Sequence, residues 1–564
     1  MNMDSRESLP GNHRPIRRSG CSRIDPRVFF AFLFILLLCF AAPLPVSPVW
    51  IGVAENGASS FTEEAIIDTG LLTISIHTKD GENPTFVDVD PPEGCVGASI
   101  RDNTYVKGYC EITNMDSGRP FASGMKLKVR GNASARNAGP EGKLPYKLVL
   151  NEAVDLFGNG HRDNRYVLLA GAGENLNTLL GFWIGQYAGM DWTPECRYVN
   201  LLLNGDYRGI YLLVRALDGT SLPDHIGPNG FMIECDAYWW KEDVYFRTDA
   251  ISYGMAYTIK FPDENRLTDA RLQEIIQYME AAESEVLDYS NNDLIDERTF
   301  VAWIITRDIT GSVDPCGANI YYYLENMDAE NPATNKLYMG PLWDFDSTFE
   351  LDNQWSYNHF SATTYFPYQL SNEGFASQYI DRYQQISPYL CDELETMLHE
   401  LEDTAGGPID ASRQLDAARW NRPLILLEAE AEEKLDWLKD RIEWMKMELD
   451  AQQSGQYLKG NVYVAVSDGC KTMDIWLPDD GYERVSFPVW SDEDGQDDLI
   501  WWEAQCNEDG IWECQVDLSQ HHSKGVYYIH AYDVTEDSFD FIGGSVTFVS
   551  FAVESEELET AAPG

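Results

Sequence analysis

The apolar residues of this chain change their period twice along its length, and that change limits the folds open to it. Up to about residue 261 they alternate, or run in short blocks between Gly, Asn, Pro and Asp turns, as strands require. Residues 71–76, 125–130 (MKLKVR), 144–150 (LPYKLVL), 197–203 (RYVNLLL), 207–214 (YRGIYLLV), 230–235 (GFMIEC) and 256–261 (AYTIKF) all read this way. Asn204-Gly205-Asp206 marks a hairpin, because Asn-Gly tolerates the left-handed turn that joins two twisted strands. From Leu272 the spacing turns helical. Leu272, Ile275, Ile276, Met279, Val286 and Leu287 share one face, and residues 298–308 (RTFVAWIITRD) form a second helix. A strand pair at 319–324 and 336–342 leads into Trp343-Asp344-Phe345-Asp346. Residues 372–450 are then mostly helix and close on a stripe of Leu435, Leu438, Ile442, Met445 and Leu449.

At Gln452-Gln453-Ser454-Gly455 the helical pattern stops. Residues 460–553 are β-branched and aromatic, with turns at Asp479-Asp480-Gly481, Asp494-Gly495 and Asp509-Gly510. That spacing predicts a small sandwich of roughly 90–100 residues. The fold class expected is therefore α+β: a two-lobed domain, mainly β and then mainly α, followed by an all-β sandwich. The boundaries expected are 1–54 for a leader, 55–124 for an N-terminal β segment, 125–451 for the two-lobed domain, 457–553 for the sandwich and 554–564 for an acidic disordered tail.

The leader differs from everything after it. Arg6, Arg14, Arg17, Arg18, Arg23 and Arg27 precede an uninterrupted apolar run from Val28 to Ala42, which Pro43 and Pro45 break. This is a basic n-region and an h-region. Fifteen residues are short for a span, which takes about 20. No small-x-small cleavage site follows directly, so a cleaved signal and a retained anchor that keeps the N-terminus in the membrane both stay open. Beyond the leader the chain is strongly acidic: 92 Asp and Glu against 41 Lys and Arg overall, a net charge of −51. Such a surface repels nucleic acid, so none is expected as a partner. Nine cysteines lie beyond the leader, none in a C-x-x-C pair, which leaves a zinc site unsupported. Cys95 with Cys110 and Cys506 with Cys514 are the candidate disulfides in an oxidising compartment.

Two groups of charged residues divide between the halves of the main domain. Arg130, Lys143 and Lys147 cluster in the first lobe, with Lys147 on a strand just after the flexible loop GNASARNAGPEGK. Asp314, Asp344 and Asp346 cluster in the second, Asp314 at a helix exit and the other two on one face of a strand end. Phosphoryl transfer uses this division: cations hold phosphates, carboxylates hold Mg²⁺, and a further carboxylate orients the attacking hydroxyl. Alone, a D-x-D at a strand end is common surface chemistry, and paired carboxylates also serve glycosidases. No G-x-S-x-G, H-E-x-x-H or P-loop string is present.

The strings themselves resemble a known family. RGNASARN (130–137) followed by LPYKLVL, then YVNLLLNGDYRGIYLL (198–213), GFMIECD (230–236), KFPDE (260–264), SVDPCGANIYYY (312–323), YMGPLWDFDSTFE (338–350) and EEKLDWLKDRIEWM (432–445) are similar, in order, to CotH (spore coat protein H) kinases over about residues 68–450. The resemblance implies an atypical two-lobed kinase fold that uses ATP and Mg²⁺ or Mn²⁺ to phosphorylate Ser or Thr of surface or coat proteins. It assigns Asp314 to catalysis, Asp344 with Asp346 to metal, and Arg130, Lys143, Lys147 and Glu234 to the nucleotide, with Glu234 as partner of Lys147. Two positions depart from the family pattern: Arg215 stands where an acid is usual, and Glu350 where a glycine is. A catalytically inactive adhesion or scaffold module of the same fold is the alternative. Residues 486–533 resemble the GBS Bsp-like repeat of surface and cell-wall proteins, which implies cell-wall components as partners of the C-terminal domain and no catalytic role. His521, His522 and His530 are expected to be structural or exposed rather than ligands.

The leader yields a prediction of its own. Residues from about 55 onward should lie outside the cell membrane. A membrane-impermeant label applied to intact cells is expected to reach them, and complete protection would overturn the reading.

Overall fold

The computed structural model of the protein describes residues 61–92, 95, 99–218, 222, 226–248, 255–287, 293–312, 319–328, 334–349, 373–454, 457, 459–466, 471–491, 496–521, 525–535 and 538–549. The chain divides into Met1–Ala54 and Glu55–Gly564. The leader expectation falls in the first of these, outside the described residues. Among the described residues no helix is long and apolar enough to cross a membrane.

The first part is a closed barrel. In chain order its elements are α1 (Glu63–Ile67), β1 (Thr73–Thr78), β2 (Val87–Val89), β3 (Ser99–Arg101), β4 (Val106–Thr113), β5 (Phe121–Val129), α2 (Ala133–Ala138), β6 (Tyr146–Val154), β7 (Asp163–Leu169), α3 (Asn177–Ala188), β8 (Cys196–Leu203) and β9 (Asp206–Arg215). The barrel runs β1-β4-β5-β6-β7-β9-β8 and closes where β1 pairs β8 in parallel, Thr73 opposite Asn200. Closure removes the exposed strand edges that an open sheet must otherwise protect. Ile74, Leu127, Leu148, Tyr166, Val199 and Leu213 fill the interior. On β9 the alternate residues Ile210, Leu212 and Val214 face outward into a second core with α3. This strand is buried on both faces, which is why YRGIYLLV reads as almost continuous apolar sequence.

Helix α3 has no counterpart in the sequence reading. Leu179, Leu180, Phe182, Ile184 and Ala188 surround it with burial on all sides, so it shows no stripe of one period. Its glycines are packing positions. A Cβ at Gly181 would overlap the Phe345 ring, and one at Gly185 would overlap Leu342 Cδ1. The helix thus lies flush against the segment that carries Asp344. A smaller difference is α2, which forms inside the stretch expected as a flexible loop.

The second part comprises β10 (Phe231–Asp236), β11 (Tyr245–Phe246), β12 (Ala256–Phe261), α4 (Asp269–Leu287), α5 (Glu297–Thr310), β13 (Ile320–Leu324), β14 (Tyr338–Met339), α6 (Glu373–Leu401), α7 (Gly407–Trp420) and α8 (Leu427–Gln453). The strands form an antiparallel sheet, β11-β12-β10-β13-β14. Tyr257 and Tyr322 turn toward the helices; the Tyr257 hydroxyl donates to Glu283 Oε1 at 2.8 Å, and Tyr322 lies 6.0 Å from the Phe300 ring. Asp296 caps α5 by accepting from the Thr299 N–H at 3.0 Å, and Gly311 ends that helix in the left-handed conformation.

The C-terminal part matches the expected sandwich. It contains β15 (Tyr463–Val466), β16 (Thr472–Pro478), β17 (Val485–Ser491), β18 (Ile500–Glu503), β19 (Gln505–Cys506), β20 (Ile511–Asp517), β21 (Gly525–Val534) and β22 (Phe539–Val549), in two sheets, β15-β16-β20-β19 and β18-β17-β21-β22. Mixed α+β architecture with a separate all-β end is therefore what the chain forms. The disulfide expectation is corrected: Cys95, Cys110, Cys506 and Cys514 are free thiols. Cys110 points into the barrel core, and Cys506 sits opposite Trp512 rather than Cys514 across the ladder.

The α3 contact can be tested. Alanine is worth up to about 1 kcal/mol over glycine in a helix interior, but overpacking a filled core costs about 1–3 kcal/mol. Gly181→Ala and Gly185→Ala are expected to lower stability in urea denaturation, against the helix-propensity trend. A stability gain from either would show that α3 has room.

Candidate functional site

The outer wall of the barrel is basic, in a chain whose overall charge is strongly negative. On β5 Met125, Leu127 and Val129 turn inward, so Lys126 and Lys128 lie on the other face of the strand, with Arg130 just beyond its end. Lys147 on β6 and Arg165 on β7 continue the row outside the barrel. Lys107 stands directly opposite Lys126, and Lys128 directly opposite Lys147. Like charges at opposed positions destabilise a ladder, so this arrangement is retained at a local cost. Lys126 and Lys128 hold their ammoniums 4.5 and 5.2 Å from the Tyr105 ring. Burial lowers the Lys128 ammonium below the usual lysine range, and the charge of Lys147 lowers it further. Asp218 partly offsets the row: Lys147 forms an ion pair with it, and Arg165 donates to its backbone oxygen at 2.7 Å.

The face of the second sheet turned away from the helices carries Glu234, Asp236, Thr258 and Lys260 on β10 and β12. Lys260 Nζ lies 2.6 Å from Glu234 Oε2 and 3.6 Å from Asp236 Oδ2, and the Thr258 hydroxyl donates to Asp236 at 3.3 Å. Burial raises the Glu234 carboxyl to about 7, with Lys260 pulling it back and Asp236 pushing it up. The Tyr321 phenol, driven far above the usual tyrosine range by burial, is hydrogen-bonded to Glu234 and feels the charge of Arg130. Arg130 reaches further, with its guanidinium 5.7 Å from the centre of the Trp343 ring. Lys241 bridges back to the barrel side through Ser99 Oγ at 2.7 Å and Asn132 Oδ1 at 2.8 Å. A polar seam therefore runs from Lys147 through Lys128 to Arg130, whose charge reaches the Tyr321–Glu234 pair and whose guanidinium lies over Trp343, next to Asp344.

Asp344 adopts φ 59°, a left-handed conformation that costs a residue with a side chain about 1–2 kcal/mol. Arg307 imposes it. This arginine is fully buried on α5; its guanidinium donates to the Asp344 carbonyl at 2.6 Å, to the Trp343 carbonyl, and to Ser312 Oγ at 3.1 Å. It also lies 4.2 Å from the Phe345 ring centre and 5.1 Å from that of Trp303. Hydrogen bonds to a charged donor contribute roughly 1.5–3 kcal/mol each, which exceeds the backbone strain. Asp344 is half-buried and Asp346 exposed, and the Asp346 N–H lies 3.5 Å from Asp344 Oδ1. A Cβ added to Gly171, in the β7–α3 connection, would sit 3.7 Å from Asp346 Oδ2. The two carboxylates thus stand between a glycine-bearing turn and the arginine clamp.

The expected site residues separate under this geometry. Arg130, Lys147 and Glu234 belong to the seam, and Arg130 connects it to the Asp344 segment. Glu234 pairs with Lys260 rather than with Lys147, which takes Asp218, because Glu234 and Lys147 stand on different sheets. Lys143 is elsewhere: its side chain is 1% exposed, with the ammonium 2.7 Å from Asp416 Oδ1 and 3.0 Å from Glu174 Oε1, where it ties the barrel to α7. Asp314 and Glu350 lie outside the described residues; Ser312, two positions before Asp314, is held by Arg307. Lys126, Lys128, Arg165, Lys260 and Arg307 were missed. The alternation Lys126-Leu127-Lys128-Val129-Arg130 was the available signal for the first two, since it puts three cations on one side of the chain.

Arg215 is accommodated by ion pairing. It lies 3.3 Å from Asp163 Oδ2, pairs with Glu195, and holds its guanidinium 5.4 Å from the Phe157 ring. A cavity of about 860 Å³ opens beside it, lined by Phe157, Trp183, Trp192 and Glu195, and none of the cations of the barrel wall lines that cavity. Among the described residues no group of three or more His, Cys, Asp or Glu side chains is arranged to hold a metal ion. The two hard carboxylates Asp344 and Asp346 nonetheless suit Mg²⁺ or Mn²⁺, which bind proteins through one or two carboxylates and take further oxygens from phosphate and water.

Two stretches of the chain match known families. Residues 175–447 match the CotH kinase protein family, and residues 470–546 match the GBS Bsp-like repeat. No curated protein matches the chain. The chain therefore carries a CotH kinase domain followed by a GBS Bsp-like repeat. The match begins later than the resemblance at about residue 68, so Arg130, Lys143 and Lys147 precede it, whereas Glu234, Asp314, Asp344 and Asp346 fall inside it.

The clamp makes a stability prediction. Arg307→Lys keeps the charge but loses the planar fork that reaches two carbonyls. Leaving a buried acceptor unpaired costs about 1–3 kcal/mol, so the variant should be destabilised by that amount in chemical denaturation. Wild-type stability in Arg307→Lys would show that the clamp is dispensable.

Proposed function

We propose that this chain is an exported atypical protein kinase, moving the γ-phosphate of ATP to Ser or Thr hydroxyls of surface or coat proteins. The observation that carries this reading is the cationic barrel wall, joined through Arg130 and Trp343 to the Asp344/Asp346 segment. Lys128, Arg130 and Lys147 offset the negative charge of the nucleotide phosphates, which an acidic protein would otherwise repel. Asp344 and Asp346 would hold Mg²⁺ or Mn²⁺, which when bound neutralises charge on the transferring phosphoryl group. Asp314 orients the acceptor hydroxyl and receives its proton as the hydroxyl oxygen bonds to phosphorus and the bond to ADP breaks.

The pairing of Arg215 with Asp163 and Glu195 supports activity in spite of the departure from the family pattern. Its charge is already matched within the barrel, so it does not stand as an uncompensated cation beside Lys147. The N-terminal basic and apolar leader supports export, and the C-terminal repeat supports retention near the cell wall.

Incubating the full chain with labelled ATP and Mn²⁺ or Mg²⁺ tests the reading. Wild type should show a thermal shift with ATP and metal, because ligands that bind the folded state raise its melting temperature. Asp344→Ala is expected to lose that shift. Asp314→Ala should keep it while losing phosphotransfer by about 10²-fold or more. Absence of ATP binding by wild type with either metal would sink the kinase reading and leave an adhesion or scaffold module of CotH fold.

A further inference from the structure

The sheet β18-β17-β21-β22 of the C-terminal sandwich is apolar on both faces. Phe487, Val489, Tyr527 and Ile529 point inward to the sandwich core. An antiparallel sheet with one solvated face normally alternates apolar-in with polar-out. Here the outward positions are aromatic instead. Tyr528 stacks on Trp490 at 5.5 Å with 16° between the rings, and Trp490 meets His530 edge-on at 4.8 Å. His530 and Tyr532 both meet Phe541 edge-on, at 5.2 and 5.6 Å. Trp501 then lies 5.3 Å from Tyr532 and 6.1 Å from Phe539, which is 49% exposed at the end of the row. Seven rings spread over all four strands of the sheet thus form one contiguous platform, in which Trp490 is 8% exposed and the rings toward Phe539 lie more open.

The partner sheet of the same domain is the internal comparison. Its outer face shows Asp474, Glu513 and Gln515, with Gln515 donating to Asp474 at 2.8 Å, and its aromatic rings are confined to one stack of Tyr457, Tyr463 and Trp476. Packing of the sandwich core therefore does not require a second aromatic face.

Charge selects the occupant. The strands of the platform sheet carry Glu503, Asp533 and Asp540 and no lysine or arginine. Burial among the rings lowers His530 to about 4, so at neutral pH it adds no positive charge. Nucleic acid, anionic polymers and anionic lipid surfaces are repelled by such a face. A neutral sugar polymer is not. Its C–H faces are the weakly positive, apolar partner that the negative face of an aromatic ring prefers, and a row of rings 5–6 Å apart offers a linear chain successive contacts. Glu503, exposed on the same face as Trp501, can accept hydrogen bonds from sugar hydroxyls.

We infer that this face binds a neutral polysaccharide chain, stacked on Trp501, Tyr532 and Phe539. The site is independent of phosphotransfer, so it stands or falls separately from the kinase reading.

Co-sedimentation of the full chain with insoluble cellulose and with insoluble chitin tests it. Wild type is expected to sediment with at least one of the two polymers, and to do so equally at low and high salt. Trp501→Ala should weaken binding by about tenfold. Phe539→Ala, at the most exposed ring, should weaken it with melting temperature unchanged, which guards against a folding defect in the first variant. Asp474→Ala, on the other sheet, should bind as wild type. No sedimentation with either polymer would overturn the inference, as would undiminished binding by both aromatic variants. Concentration-dependent self-association that Phe539→Ala abolishes would overturn it too, by showing that a second copy of the chain covers the platform.

Discussion

Arg307 carries a full positive charge into the interior, where desolvation alone costs several kcal/mol. It is compensated by two backbone carbonyls, a serine hydroxyl and the faces of two aromatic rings. Each of those contacts restrains a different part of the surrounding structure. The carbonyls hold Trp343 and the left-handed Asp344; the hydroxyl holds Ser312; the Phe345 ring presses on the glycine face of α3. The next residue, Asp308, accepts from the Tyr379 hydroxyl at 2.9 Å, and its backbone oxygen accepts from Arg441 Nε at 2.9 Å. The same turn of α5 therefore also anchors α6 and α8. Removing that one guanidinium would loosen the carboxylate segment and its ring packing together.

Around this anchor the distribution of charge separates the two faces of the protein's chemistry. An overall charge of −51 keeps most anions away. Against that background, opposed lysines at 107/126 and 128/147 are electrostatically unfavourable in the folded chain alone. Asp218 offsets part of that cost by pairing with Lys147. The C-terminal sheet shows the complementary case, a surface with aromatic rings and carboxylates but no cations, suited to neutral ligands. Two surfaces of opposite charge character therefore lie in one chain.

Much of the architecture could be read before the structure was known, and the reasons differ by element. The hairpin at Asn204-Gly205 and the amphipathic helices α4 and α8 declare themselves because one face is solvated, so the period survives in the residue pattern. Helix α3 and strand β9 are buried on all sides, and burial erases the period. Barrel closure depends on a parallel pairing between β1 and β8, more than 120 residues apart, which local pattern does not encode. At the site, the aspartates of the Trp343–Asp346 segment were legible as a motif, and Arg130 and Lys147 as cations near a loop. Lys143 looked equivalent to them, but a buried ion pair with Asp416 and Glu174 uses its charge for structure.

Local sequence by itself determined the order of strands and helices, the switch to an all-β end, the acidity, the leader and the two family resemblances. The elements, the all-β end and the acidity follow from residue period and composition, whereas the resemblances rest on particular strings of residues; all of these are local in the chain. Tertiary structure alone decided which charges meet. Glu234 pairs with Lys260 because β10 and β12 are neighbours in one sheet. Lys128 crowds Lys147 because β5 and β6 are in register, and Asp344 takes a strained conformation because Arg307 on α5 reaches its carbonyl. Each of these pairings depends on a distance in space between residues far apart or unremarkable in sequence, and electrostatic energy follows that distance and the burial around it rather than the order of the chain.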